Sequence, residues 1–163
     1  MKTQLGRHSR ASSVSLAFSL LEKYNFSSIP STPCHGDLTL ENILIDNAGN
    51  IYLIDFLDSF ANSWYVDAAK ILQDLEVGWS WRDERSNMNL EIRRAIALKY
   101  FKSYLIRYEA LTPVYYVLLL NLLRILPYAK DEKTSNFLYN SLLKVAQQLN
   151  VGRQSNIPLN DKI

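Results

Sequence analysis

The sequence predicts an α+β fold, mostly helical, with a small β-hairpin set early in the chain. Three observations point to it. Apolar residues recur at intervals of three and four in long segments before and after the hairpin, which is the helical period. Two short β-rich runs, Ile43–Ile45 and Ile51–Ile54, are joined by Asp46-Asn47-Ala48-Gly49-Asn50, a turn-forming stretch. A chain of 163 residues that is 48% hydrophobic can bury one real core.

The elements follow in order. Residues 1–12 are polar and expected to be loose. From Ser13, Val14, Leu16, Ala17, Leu20 and Leu21 fall at helical spacing, with Ser12 or Ser13 placed to cap and an end near Tyr24 or Asn25. Pro30 and Pro33 make residues 27–33 a connection. The hairpin pairs locally, so its two ends, Asn42 and Asp55, return to the same side. Trp64 to about Trp79 reads as a helix, with Tyr65, Ala68, Ile71, Leu72 and Leu75 on one face. Asn87 or Asn89 starts another, reaching Tyr108 with Ile92, Ile96, Phe101, Tyr104, Leu105 and Tyr108 turned inward. Thr112-Pro113 suits an N-cap and first turn for a helix running to about Leu126, where Pro127 forces a break. A last helix spans about Thr134 to Leu149 and stops at Gly152. Residues 13–150 thus form one lobe, and 151–163 a polar, frayed tail.

Formal charge is +2, from 18 basic and 16 acidic side chains, which gives no concentrated basic surface for nucleic acid. The single cysteine, Cys34, excludes an internal disulfide and reads as a small core residue. No apolar leader follows Lys2 and Arg7. The most apolar run, Val114–Leu120, falls short of a membrane span, so the expectation is a cytoplasmic protein without a membrane partner.

The chemistry concentrates in HGDLTLENILIDNAGNIYLIDF, His35 to Phe56. Phosphoryl transfer needs metal held against phosphates and a carboxylate placed at the acceptor hydroxyl. Asp37, Asn42 and Asp55 are those residue types, brought towards one space by a tight loop and a hairpin. His35-x-Asp37-x-x-x-x-Asn42, a hairpin and Ile54-Asp55-Phe56 together resemble the catalytic core of the aminoglycoside phosphotransferase and choline kinase family. The resemblance implies the C-terminal lobe of a protein-kinase-like fold. It further implies ATP (or GTP) and Mg2+ as cofactors, and transfer to a small-molecule hydroxyl on a sugar, aminated sugar or amino alcohol. Asp37 would be the catalytic base, Asn42 and Asp55 metal ligands, and His35 a structural brace, while Asp67 would steady the loop backbone.

A protein kinase fits less well. Gly36 stands where an Arg would receive a phosphorylated activation loop, and Thr39 where a Lys would help neutralise the transferred phosphate. The stretch from Asp55 to Asp67 is too short for a regulated loop that docks peptides. Leu57 replaces the family's frequent Gly and implies ordinary backbone there, and Glu41 is a minor change.

No Gly-rich loop and no Lys-bearing strand precede His35, so the expectation is a catalytic lobe without its nucleotide-gripping partner, weak in nucleotide binding alone. A separate N-lobe chain or a homo-oligomer would cover the exposed lobe interface. The alternative is a non-catalytic remnant serving as an interaction scaffold. A metal-dependent phosphohydrolase is weaker, because no second acidic cluster is apparent.

Asp58, Trp64, Asp74, Glu76, Trp79, Trp81, Asp83 and Glu84 gather after Asp55; of these, Asp58, Trp79 and Trp81 are the acceptor-binding candidates. Carboxylates would suit an aminated sugar and tryptophan faces a quaternary ammonium. Arg124, within an apolar helix, is expected to be buried against a carboxylate of the 64–80 helix.

Overall fold

A computed structural model describes residues 2–85 and 87–154. Among these residues, five α-helices and a two-stranded antiparallel sheet confirm the α+β, mostly helical class: α1 (Lys2–Leu21), β1 (Ile43–Ile45), β2 (Ile51–Leu53), α2 (Trp64–Leu72), α3 (Met88–Arg107), α4 (Leu111–Ile125) and α5 (Glu132–Gln154).

The core forms around α4, whose apolar surface is covered on several sides by α1, α2 and α5. Val114, Leu118, Leu119 and Leu122 are fully buried among Ala17, Val66, Leu72, Leu138 and Val145. Leu111–Tyr128 is long and apolar enough to cross a membrane by length and composition, yet it supplies the centre of this core. At the edge of the core Tyr24 stacks flat on Tyr116, ring centroids 4.0 Å apart.

α1 begins at Lys2, so residues 2–12 of the stretch expected to be loose are helical. Arg10 fastens it to α5 by bonds to Glu132 (2.9 Å) and Asn136 (2.5 Å), long-range partners that local periodicity does not reveal. At the other end of the chain α5 runs through Gly152 to Gln154, so that glycine does not stop it. The rest of the expected tail, residues 155–163, lies outside the described residues. α5 starts earlier than Thr134 because Asp131 is its cap: its Oδ1 accepts from the Thr134 amide at 2.7 Å.

α3 ends where the sequence places it, at Arg107 with Tyr108 as its cap, but the start of α4 and part of one face of α3 differ from expectation. α3 ends in a left-handed residue, Glu109 (φ 53), with the Ala110 amide donating to the Leu105 carbonyl at 2.8 Å. That closure places the start of α4 at Ala110–Leu111, and Thr112-Pro113 falls inside the first turn, where a missing amide costs nothing. Of the α3 residues expected inward, Phe101 and Leu105 do face the core, whereas Ile92, Ile96, Tyr104 and Tyr108 are about half exposed. Leu105 is buried there, with Leu98, Phe101 and Ile106 packed against the core. Both rows of α3 are apolar, so periodicity alone cannot choose between them; contact with α4 does.

α2 does not run straight to Trp79. It passes into a π-helical turn, Gln73–Val77, closed by Gly78 in the left-handed region (φ 83). Gln73, Asp74, Leu75 and Glu76 are all buried, so the chain here is enclosed on every side.

Candidate active site

The hairpin delivers Asp55 to Asn42. Ile43 pairs with Leu53 in β1–β2, and the Ile54 amide donates to the Asn42 carbonyl at 3.1 Å. Asp46 locks the turn by accepting from Asn50 and Ala48, which holds its carboxyl below the usual carboxylate range. Asp55 itself sits in the left-handed region, φ 58, where a non-glycine residue stores strain. Leu57 has no such conformation, as expected.

The loop 35–42 is gripped at both ends by carboxylates of one helix. Asp67 accepts from the His35 amide (2.8 Å) and the Gly36 amide (2.9 Å). Asp74, two turns on, accepts from the Leu40 amide (2.8 Å) and from the Ser80 hydroxyl (2.6 Å). Gly36 (φ 88) fits beneath residue 57, and a Cβ there would lie 1.9 Å from the Leu57 carbonyl oxygen. The Leu57 amide donates to the His35 carbonyl at 3.0 Å, which makes that approach obligatory. His35 is buried and stacks on Phe56 with centroids 4.1 Å apart, a bracing position rather than a cavity-facing one.

Asp37, Asn42, Asp55, Lys70, Gln73 and Trp79 border one cavity of about 490 Å³, within the size range of small-molecule sites. Asn42 Nδ2 donates to the Asp37 carbonyl at 2.8 Å, which leaves its Oδ1 as the atom that could coordinate a metal. Asp37 Oδ1 pairs with Lys70 Nζ at 2.7 Å. Among the described residues no group of three or more His, Cys, Asp or Glu side chains is placed to hold a metal. One carboxylate and one amide oxygen from the protein nevertheless suit Mg2+, which takes few protein ligands and the rest from water and phosphate.

The sequence profile of the phosphotransferase enzyme family matches residues 8–111, well over half the chain, including the loop, the hairpin and α2. The chain belongs to the phosphotransferase enzyme family. No curated protein and no solved structure matches it significantly.

Within this phosphotransferase the acceptor candidates separate. Trp79 is on the cavity wall, with the Arg82 guanidinium 4.1 Å from its ring centroid. Trp81 is not on that wall, and Asp58 is exposed in a different groove beside Thr32 and Cys34. Asp74 is fully buried by its loop contacts. Glu76 is buried in a polar knot: Lys102 Nζ lies 2.5 Å and Lys144 Nζ 3.0 Å from its carboxylate, and the Tyr115 hydroxyl donates at 2.9 Å. Neither carboxylate is available to an acceptor. Arg124 is exposed, its guanidinium 4.3 Å from the Phe60 ring centroid, so it needs no buried carboxylate. Lys70 and Gln73 are polar wall residues outside the motif. Their positions, three and six after Asp67 on a helix whose Asp67 faces the loop, were the available signal.

Proposed function

We propose that this phosphotransferase transfers the γ-phosphoryl group of ATP to a hydroxyl of a small molecule at the Asp37 cavity. The observation that carries this is the convergence of Asp37, Asn42 and the strained Asp55 on one cavity of small-molecule size. The acceptor oxygen bonds to the γ-phosphorus as the bond to the β–γ bridging oxygen breaks. ADP leaves with that electron pair, and Asp37 takes the hydroxyl proton. Asn42 Oδ1 and the Asp55 carboxylate would hold Mg2+, which supplies charge neutralisation at the phosphate oxygens when bound.

The hairpin supports a further part of this reading. Ile45, Ile51, Tyr52 and Phe56 are each more than half exposed, an apolar face beside the catalytic loop. A nucleotide-gripping element is the occupant that the chemistry calls for, since among the described residues the cavity wall offers one basic side chain, Lys70, and the α- and β-phosphates need oriented donors as well.

Two expected outcomes test this function. At about a hundredfold over Kd, MgATP adds about 2.7 kcal/mol to stability, read as a rise in the thermal midpoint that Asp55→Ala removes. Asp37→Asn keeps the binding but lowers phosphoryl transfer by roughly 10²- to 10⁴-fold, followed with γ-labelled ATP and a panel of sugars and amino alcohols. A wild-type midpoint indifferent to MgATP would overturn the proposal in favour of a scaffold.

A further inference from the structure

Phosphoryl transfer needs positive charge at the transferred group, and the catalytic loop has none to offer: the position two residues after Asp37 is Thr39. Three carboxylates, Asp37, Glu41 and Asp55, line the cavity against one cation. That cation is Lys70, the only basic side chain on the cavity wall among the described residues. Its ammonium is 2.7 Å from Asp37 Oδ1, and its side chain is 19% exposed, so it is held rather than waving in solvent.

We propose that Lys70 contacts the transferred γ-phosphoryl group, supplying from α2 the cation that the loop lacks. The inference rests on the phosphotransferase reading of the cavity above. An ammonium carries three donors. One is committed to Asp37, which fixes the head beside the base, and two remain for phosphate oxygens. The position follows from helix geometry. Asp67 anchors the loop at His35 and Gly36, and Lys70 lies one turn further on the same face, beneath Asp37. The helix that holds the loop in place thereby also delivers its counter-charge. An ion pair serving stability alone would be indifferent to the nucleotide's phosphate count.

That last difference supplies the test. MgATP and MgADP binding are measured by calorimetry on the full chain for the wild type, Lys70→Met, Lys70→Arg and Lys23→Met, the last removing an exposed charge remote from the cavity. Lys70→Met is expected to weaken MgATP about tenfold or more, the scale of a lost charge-assisted hydrogen bond, while MgADP changes less than about twofold. Lys70→Arg restores most of the MgATP affinity, and Lys23→Met leaves both nucleotides unchanged. Equal weakening of MgATP and MgADP by Lys70→Met, or no weakening of either, overturns the assignment. Absence of MgATP binding by the wild type instead overturns the phosphotransferase reading on which the assignment rests.

Discussion

Replacing Glu76 with glutamine lowers stability by about 3 kcal/mol at pH 7. Burial alone would push the Glu76 carboxyl up, but the bond and charge of Lys102, with Lys144 beside it, reverse the effect and hold it down to about 2, from an ordinary 4.5. A folded-state value below the unfolded one means stability that is present above the unfolded value and lost as pH falls through the folded one. The shift corresponds to about 3 kcal/mol at neutral pH and about 1 kcal/mol at pH 3. For a chain of this size that is a fall of roughly 6–12 °C in the midpoint at pH 7. Denaturant unfolding of both proteins at pH 7 and pH 3 reads it directly, as a gap that narrows with acid. A gap that does not change with pH would refute the ionic account. The same carboxylate raises the Tyr115 hydroxyl, whose burial is the larger cause, so Tyr115 stays a neutral donor throughout. This knot joins the π turn after α2 to α3, α4 and α5, and the wall carrying Lys70, Gln73 and Trp79 hangs from it.

Gly36→Ala costs about 2–4 kcal/mol, from backbone strain plus overlap with a neighbour that cannot rotate away. Gly49 provides the control within the same chain. Its φ of 84 nearly equals the 88 of Gly36, but a Cβ at Gly49 meets nothing within 4 Å. Gly49→Ala therefore costs only the conformational part, about 1 kcal/mol. At Gly36 the obstacle is the Leu57 carbonyl, which is fixed by the Leu57–His35 hydrogen bond. Relief requires the loop to lift from Asp67, which misplaces Asp37 and Asn42 together. Urea titrations of the two variants check the difference, and equal losses would refute the close approach. Gly36 stood out in the sequence only as the absence of an arginine; the structure shows why a glycine is needed.

The loop, the hairpin and their register were legible because each is local. Asp46 to Asn50 can only turn, and a turn of that length returns Asp55 beside Asn42 whatever surrounds it. The role of Asp67 was legible through family resemblance, and two bonds to the loop now give it a geometry. The partner role of Asp74 was not, since seven residues along a helix specify a shared face but not what lies against it. Glu76, grouped with acceptor candidates by composition, lies in a buried knot assembled from α3, α4 and α5, residues far away in sequence. Asp58 and Trp81 were near the motif in sequence but not on the cavity in space.

Propensity, turn type and motif spacing act over a few residues, so the fold class, the order of elements and the family resemblance could be read from the chain alone. Only the tertiary structure decided which face of α3 is buried, which carboxylates are spent on the scaffold and which cation stands beside Asp37. Those outcomes depend on burial and charge pairing between distant segments, and such contacts have energies but no local signature in the chain.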